Sequence, residues 1–340
     1  MKYRLLGDTG VFVSEVCLGT MTFGGRGQMW EKIGGLDQPA ADRIVHRALD
    51  AGVNVVDTAN VYGTGESEAM LGKALAGRRS QVVLATKVRG RMSPEPNAVG
   101  LSRLHILREV EASLTRLGTD YVDLYQIHRF DTLTHLEDTL RTLDDLVRAG
   151  KVRYIGCSNL AAWQMMKALA MSASSGLERF RCTQSYYSLA GRELEREIVP
   201  LVKDQGLGLL VWSPLAGGFL SGRFTRTSAD DAARRASFDF PPIDKARAFD
   251  IIDVLQPIAD RHEVSVARVA LAWVLAREVV TSVIVGARTV AQLDDNLACS
   301  DLVLTAEDLS ALDAVSALRI EYPAWMDTLG TDRRPGERRF

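Results

Sequence analysis

The sequence predicts an α/β protein of the (β/α)8 TIM-barrel class, and three observations carry that prediction. Strand-like apolar runs recur eight times with amphipathic helical segments between them, and strand alternating with helix means parallel pairing. No GxGxxG follows any of these runs, which removes the usual warrant for a doubly wound dinucleotide domain. Chemistry-bearing side chains close several of the runs, as expected where a barrel presents its site at the carboxyl ends of its strands.

The chain opens on two short alternations, Tyr3 to Leu6 and Val11 to Val13, around Gly7-Asp8-Thr9-Gly10, which predicts a hairpin over residues 1–14 that plugs the barrel. Strands are predicted at Glu15 to Leu18, Val53 to Val56, Val82 to Ala85, Tyr121 to Gln126, Val152 to Gly156, Arg181 to Gln184, Leu207 to Val211 and Ser282 to Val285. Helices are predicted at Ala40 to Ala51, Ser67 to Ala76, Ser102 to Leu117, Leu136 to Ala149, Ala161 to Met171, Glu193 to Gln205, Val266 to Ala276 and Val290 to Leu297. In each, apolar residues recur at spacings of three and four, as in Leu104, Leu107, Val110, Leu114 and Leu117. Strand starts lie roughly 26 to 39 residues apart, with about 75 before the last, so one connection is enlarged. Its polar, proline-terminated stretch, residues 222–245, reads as a mobile surface loop, and residues 318–340 as a tail too polar at its end to pack fully. The whole chain, residues 1–340, is expected to form one barrel domain.

A hydrophobic share of 46%, a charged share of 25% and a formal net charge of -2 give no electrostatic reason to expect nucleic acid or an anionic membrane surface. The N-terminus lacks a continuous apolar region, and no run approaches the roughly 20 apolar residues of a membrane span, so the expected location is the cytoplasm. Cys17, Cys157, Cys182 and Cys299 show neither a CxxC nor a metal-ligand spacing, and buried thiols with no metal are expected. No apolar stripe or heptad assigns an oligomeric state.

An apolar run ends on Asp57, with Tyr62 five residues later in a glycine-bearing loop; another ends on Lys87, and a third on His128. A tyrosine with an ordinary pKa of about 10 is a poor acid at neutral pH until a neighbour shifts it. Lys87 would supply a cation, Asp57 would hold that cation, and His128 could bond the phenol or a substrate oxygen and share in proton transfer. Such a site has a proton donor, two helpers and no nucleophile; a hydride from a bound nicotinamide fits that vacancy. Singly, each residue has a plainer role as cap, ion-pair member, surface aromatic or structural histidine. A strand-end lysine also suits a Schiff-base aldolase, which keeps a second reading of Lys87 open.

On LGTMTFGG (Leu18 to Gly25), DTANVYGTGESE (Asp57 to Glu68), ATK (Ala85 to Lys87), QIH (Gln126 to His128), GCSN (Gly156 to Asn159), WSPLAGGFLSG (Trp212 to Gly222) and VGARTVAQLDDN (Val285 to Asn296), the chain resembles the aldo-keto reductase superfamily nearly end to end. The resemblance is to the branch of bacterial sugar and pyridoxal reductases and potassium-channel β subunits. It implies a (β/α)8 barrel, a tetrad of Asp57, Tyr62, Lys87 and His128, and reversible NADPH-dependent reduction of an aldehyde or ketone with Tyr62 as general acid. It also implies an NADP(H) site: Ser158, Asn159 and Gln184 at the carboxamide, Trp212 stacked on the nicotinamide, and Gly19, Thr20 and Met21 with Asp57 beside the ring and ribose. Ser213, Pro214, Leu215, Gly217 and Ser221 fall at the pyrophosphate; Gly286, Arg288, Gln292 and Asn296 fall at the adenosine and its 2′-phosphate, Arg288 supplying the charge that many relatives place as a lysine at the position of Gly286. A small carbonyl or alcohol substrate would meet Trp30, Tyr62, His128 and Tyr187. The channel branch implies an alternative, a cofactor-sensing regulatory subunit.

Overall fold

Two short strands, β1 (Tyr3–Leu5) and β2 (Phe12–Ser14), pair antiparallel with Tyr3 opposite Ser14, ahead of the barrel itself. The structure is a computed structural model and describes residues 1–25, 29–226, 235 and 238–326. Eight parallel strands close in chain order: β3 (Val16–Gly19), β4 (Val55–Asp57), β5 (Val83–Val88), β6 (Val122–Ile127), β7 (Val152–Ser158), β8 (Phe180–Tyr186), β9 (Gly208–Trp212) and β10 (Ser282–Val285), which pairs with both β9 and β3. This is the predicted (β/α)8 barrel with its N-terminal hairpin.

Alternation along the strands builds two cores. Leu6 and Val13 of the hairpin bury against Cys17, Val55, Ala85, Leu124, Cys182 and Leu210 inside the barrel. The hairpin does plug one end: a Cβ on Gly208 would come within 2.9 Å of Leu6, and one on Gly7, whose φ is +58°, within 2.7 Å of the Arg181 carbonyl. The same inward parity, continued toward the carboxyl ends, turns from Val55 to Asp57, Ala85 to Lys87, Leu124 to Gln126, Cys182 to Gln184 and Leu210 to Trp212. Strands predicted to stop at Ala85, Gly156 and Gln184 therefore run on to Val88, Ser158 and Tyr186, because polar side chains break the apolar pattern without breaking the ladder. All four cysteines are buried and unpaired.

Outside the barrel lie α1 (Trp30–Ile33), α2 (Gln38–Asp50), α3 (Glu66–Ala74), α4 (Arg103–Leu117), α5 (Leu136–Arg148), α6 (Ala162–Ser175), α7 (Ile198–Gln205), α8 (Lys245–His262), α9 (Val266–Leu275), α10 (Val290–Leu297) and α11 (Ala306–Val315). Helix α7 begins at Ile198 rather than Glu193, since Pro200 has no N–H to donate and is tolerated only in a first turn. Helix α8 fills residues beyond the expected loop; its buried face, Ala248, Ile251, Ile252, Leu255, Ile258 and Ala259, carries helical spacing through an interior Pro257 that reads as a helix end.

Within the expected loop 222–245, residues 227–234 and 236–237 lie outside the described residues, as do 327–340 of the tail. The described part of the tail ends on exposed Trp325 and Met326, the Trp325 ring 5.8 Å from that of Tyr322. Among the described residues, no helix is long and apolar enough to cross a membrane.

Candidate active site

The three strand ends bring Asp57, Lys87 and His128 to one mouth, and a short 3-10 turn, Tyr62–Gly65, brings Tyr62 to them. Lys87 is fully buried, and Asp57 and Tyr62 are nearly so. Its ammonium donates to Asp57 Oδ2 at 2.5 Å, to the Thr58 carbonyl at 2.8 Å and to the Tyr62 hydroxyl at 3.3 Å, so all three N–H groups are used. The other carboxylate oxygen, Asp57 Oδ1, accepts from Gln184 Nε2 at 2.8 Å and Gln126 Nε2 at 3.2 Å. Gln126 and Thr58 were not singled out from the sequence. Gln126 had a signal, since it stands two residues before His128 and so faces the same side of β6.

The turn that carries Tyr62 is held from behind. Gly63, Thr64 and Gly65 have φ of +56°, +56° and +94°, and a Cβ on Gly65 would lie 2.7 Å from Arg116 Cδ. Glu68, fully buried, accepts from Arg116 Nε at 2.6 Å and Thr86 Oγ1 at 2.5 Å, while Asn60 Nδ2 donates to Glu109 Oε2 at 2.9 Å. Ser67 Oγ donates to the Thr20 carbonyl at 2.8 Å. These bonds leave the phenol little freedom beside the ammonium.

Burial decides the electrostatics. It pulls the Lys87 ammonium down, but Asp57 and Tyr62 pull it up further, and the net direction is upward, so the lysine stays charged. The Tyr62 phenol was expected to be lowered by that charge; instead its burial, aided by Asp57, outweighs Lys87 and raises it. Tyr62 is thus a fully protonated donor at neutral pH. His128 is pushed down to about 3 by burial and by the cations Lys87, Arg129 and Arg89, which makes it a neutral imidazole. Its ring meets that of Tyr62 edge-on, centroids 5.9 Å apart.

A histidine lowered from an ordinary 6.5 to about 3 has a definite sign in stability. Below pH 6.5 the unfolded chain takes up a proton that the folded chain refuses, so this group lowers stability progressively as pH falls toward 3. Thermal unfolding at pH 7 and pH 5 should therefore show a smaller acid loss of Tm for His128→Gln than for the unaltered protein, and equal losses would remove the burial argument.

The residues assigned by resemblance to a cofactor gather around this mouth. Gly19 ends β3; Thr20 is buried, its N–H donating to the Asp57 carbonyl at 3.0 Å, and Met21 is half-buried beside it. Ser158 Oγ donates to the Gln184 carbonyl at 2.8 Å; Asn159 Nδ2 donates to Ser158 Oγ at 2.9 Å and the His128 carbonyl at 3.1 Å, and its Oδ1 accepts from Trp212 Nε1 at 3.0 Å. The set is brought together but spends most of its donors on itself, and Gln184 Nε2 is taken by Asp57. One face of Trp212 lies parallel to Phe240, centroids 5.9 Å apart, while Tyr186 tilts against it at 5.1 Å.

The segment after β9, expected at a pyrophosphate, is a tight turn rich in positive φ. Ser213, Ala216, Gly217 and Gly218 have φ of +53°, +50°, +70° and +94°, and the turn uses its own N–H groups: Ala216 donates to the Ser213 carbonyl at 2.9 Å, and Gly218 and Leu220 to the Leu215 carbonyl at 2.9 and 3.1 Å. Ser213 Oγ accepts from the Gly217 N–H at 2.8 Å, Ser221 Oγ donates to the Gly218 carbonyl at 2.6 Å, Pro214 is buried and Leu215 half-buried. A Cβ on Gly218 would meet nothing within 4 Å, so the turn faces open space there. Helix α10 starts at Thr289, which caps the Gln292 N–H; Gln292 Oε1 accepts from the Arg288 N–H at 2.9 Å, and Asn296 Nδ2 donates to the Gly286 carbonyl at 3.4 Å. Arg288 is exposed, and its guanidinium donates to the Ile33 carbonyl at 3.3 Å. An exposed guanidinium at a helix N-terminus fits a phosphate.

Of the expected substrate contacts, Trp30 stands over Tyr62, ring centroids 5.4 Å apart. Tyr187 does not face the mouth: it is 2% exposed, packs 5.5 Å from the Trp273 ring and donates to Glu195 Oε1 at 2.5 Å. Strand parity explains the correction, because Cys182, Gln184 and Tyr186 point inward and the next residue points out. Tyr186 is the inward-facing tyrosine of this strand, its ring beside that of Trp212. Phe130 and the exposed Trp163 form a further aromatic pair, centroids 6.2 Å apart, just beyond His128 and Asn159 in the chain.

A model of the aldo/keto reductase family matches residues 15–317. The protein named uncharacterized oxidoreductase YrpG, from Bacillus subtilis, is 39% identical over 327 residues, covering 93% of this chain and 96% of its own. Versiconal hemiacetal acetate reductase of Aspergillus parasiticus is 37% identical over 339 residues, 92% of this chain and 96% of that protein. A probable voltage-gated potassium channel subunit beta of Arabidopsis thaliana is 34% identical over 312 residues, 89% and 92% of the two chains.

Proposed function

Since this chain belongs to the aldo/keto reductase family, we propose that it reduces an aldehyde or ketone to an alcohol, reversibly, with NADP(H) as cofactor and Asp57, Tyr62, Lys87 and His128 as its catalytic residues. The observation that carries this reading is the fully buried Lys87 ammonium shared between Asp57 at 2.5 Å and the Tyr62 hydroxyl at 3.3 Å. When bound, the reduced nicotinamide supplies the hydride, so the protein needs no nucleophile.

Tyr62 donates its proton to the carbonyl oxygen as negative charge develops there. Lys87 stabilises the phenolate left behind, and Asp57, itself fixed by Gln126 and Gln184, keeps the ammonium charged and aimed. His128, neutral, donates a hydrogen bond to the same substrate oxygen rather than a proton. Ser158, Asn159, Gln184 and Trp212 would hold the nicotinamide end, residues 213–221 the pyrophosphate, and Arg288 with Gln292 and Asn296 the 2′-phosphate and adenosine.

The Schiff-base reading fits poorly with an amine that is charged and whose three N–H groups are all engaged. A regulatory subunit draws support from the channel relative, yet the intact Asp57–Lys87–Tyr62 contact favours turnover. A carbonyl panel read by NADPH absorbance, run in parallel with NADH, tests the proposal. NADPH should be oxidised and preferred, and Arg288→Met should weaken NADPH by about tenfold, the scale of a lost charge-assisted bond, with NADH little changed. Tight binding without turnover across the panel would favour the regulatory reading.

A further inference from the structure

The two residues that follow Lys87 and His128 along their strands carry a feature that the reduction itself does not use. Arg89 lies one residue past the end of β5 and Arg129 two past the end of β6; these are neighbouring strands, and the His128 N–H donates to the Val88 carbonyl at 2.9 Å. Gly90 presses against the loop that carries the phenol, since a Cβ there would lie 2.6 Å from Val61 Cβ. Arg89 is therefore placed between the Tyr62 loop and His128.

Neither guanidinium has an ion pair or side-chain hydrogen bond among the described residues, and the Arg89 Nε is buried without a partner. Arg89 is half-buried and Arg129 exposed; of the other half-buried arginines, Arg79, Arg116, Arg192 and Arg277 are each held by a carboxylate, and Arg179 by the Gln205 carbonyl. Asp131, the nearby acid, accepts from the Leu101 and Leu133 N–H groups and from Thr134 Oγ1, at 2.7, 3.1 and 2.7 Å, and its charge acts on Arg89 with no hydrogen bond between the two side chains among the described residues. Arg89 also has a φ of +135°, a conformation that strains a non-glycine residue and persists where the surroundings impose it. Two unpaired like charges side by side repel, and an anion placed between them relieves that repulsion while supplying acceptors for the idle donors. Both cations act on His128, and Arg129 acts on Arg89, which agrees with their closeness.

We propose that Arg89, with Arg129, forms an anion subsite at the mouth, and that the preferred substrates are carbonyl compounds carrying a carboxylate or phosphate remote from the reacting carbon. The inference rests on the carbonyl-reductase reading. The aromatic neighbours Trp30 and Phe130 suit a flat spacer between the two groups, so the probes are 4-carboxybenzaldehyde, 4-formylphenyl phosphate and, as the uncharged control, methyl 4-formylbenzoate.

In the unaltered protein, kcat/KM for at least one anionic aldehyde should exceed that for the ester by about tenfold or more, chiefly through KM, and comparison of the two anions tells carboxylate from phosphate. In Arg89→Gln/Arg129→Gln that ratio should fall to about one, and Arg89→Lys should retain part of it, which a merely structural role would not produce. Equal rates for ester and both anions in the unaltered protein, or a ratio unmoved by the double substitution, would overturn the subsite. Should no aldehyde be reduced, the reductase reading itself fails, and calorimetric binding of benzoate and phenyl phosphate then decides: affinity lost in the double variant keeps the subsite, and unaltered or absent affinity overturns it.

Discussion

Tyr62→Phe should bind NADPH within about twofold of the unaltered protein yet lose turnover by about 10²–10⁴, the range for removing a positioned general acid. The substitution deletes a single oxygen whose hydrogen-bond partner in the structure is Lys87 Nζ, at 3.3 Å, while the ring keeps its contacts with Trp30 and His128. The turn around it is fixed by Glu68, Arg116 and Thr86, so the phenyl ring should occupy the same place. Cofactor binding by fluorescence and turnover by absorbance, measured on the same sample, separate the two effects. Retained turnover would take the proton-donor role away from Tyr62.

Lys87→Met should do more harm, because it acts on folding as well as on chemistry. It leaves Asp57, 3% exposed, as a buried carboxylate without its cation, and breaking such a pair costs about 3–5 kcal/mol. Gln126 and Gln184 still donate to Asp57 Oδ1 and soften the loss without cancelling it. Denaturant unfolding should show that loss, and Asp57→Asn/Lys87→Met should recover most of it while restoring no turnover. Recovery of turnover in the double variant would mean that the ammonium is not needed for proton donation, only for neutralising the acid.

The barrel was legible because each strand carries an apolar run and each helix its own spacing; the strand ends were not, because Lys87, Ser158 and Tyr186 are polar residues whose inward orientation only closure of the sheet reveals. Helix α8 was hidden by Pro257, and α11 by a sparse apolar face, although the Thr305 and Asp308 capping box marks its start. Three of the four residues expected to act together, Asp57, Lys87 and His128, were legible because they stand at or next to strand ends, while Tyr62 opens a turn five residues beyond β4. What spacing could not convey was burial: it reversed the expected direction for Tyr62 and made His128 neutral. Choosing Tyr187 over Tyr186 was an error of one residue, which in a strand is an error of face.

In the proposed reaction hydride reaches the carbonyl carbon from the cofactor while the protein contributes only a proton and charge. Reduction of a responsive aldehyde with NADPH deuterated at both C4 positions, in ordinary water, tests it most directly by mass spectrometry and proton NMR of the alcohol. One deuterium on the carbinol carbon and none on the oxygen after work-up in water is the predicted product. An alcohol without deuterium on carbon, or a borohydride-trapped adduct on Lys87, would rule out direct hydride transfer from the cofactor.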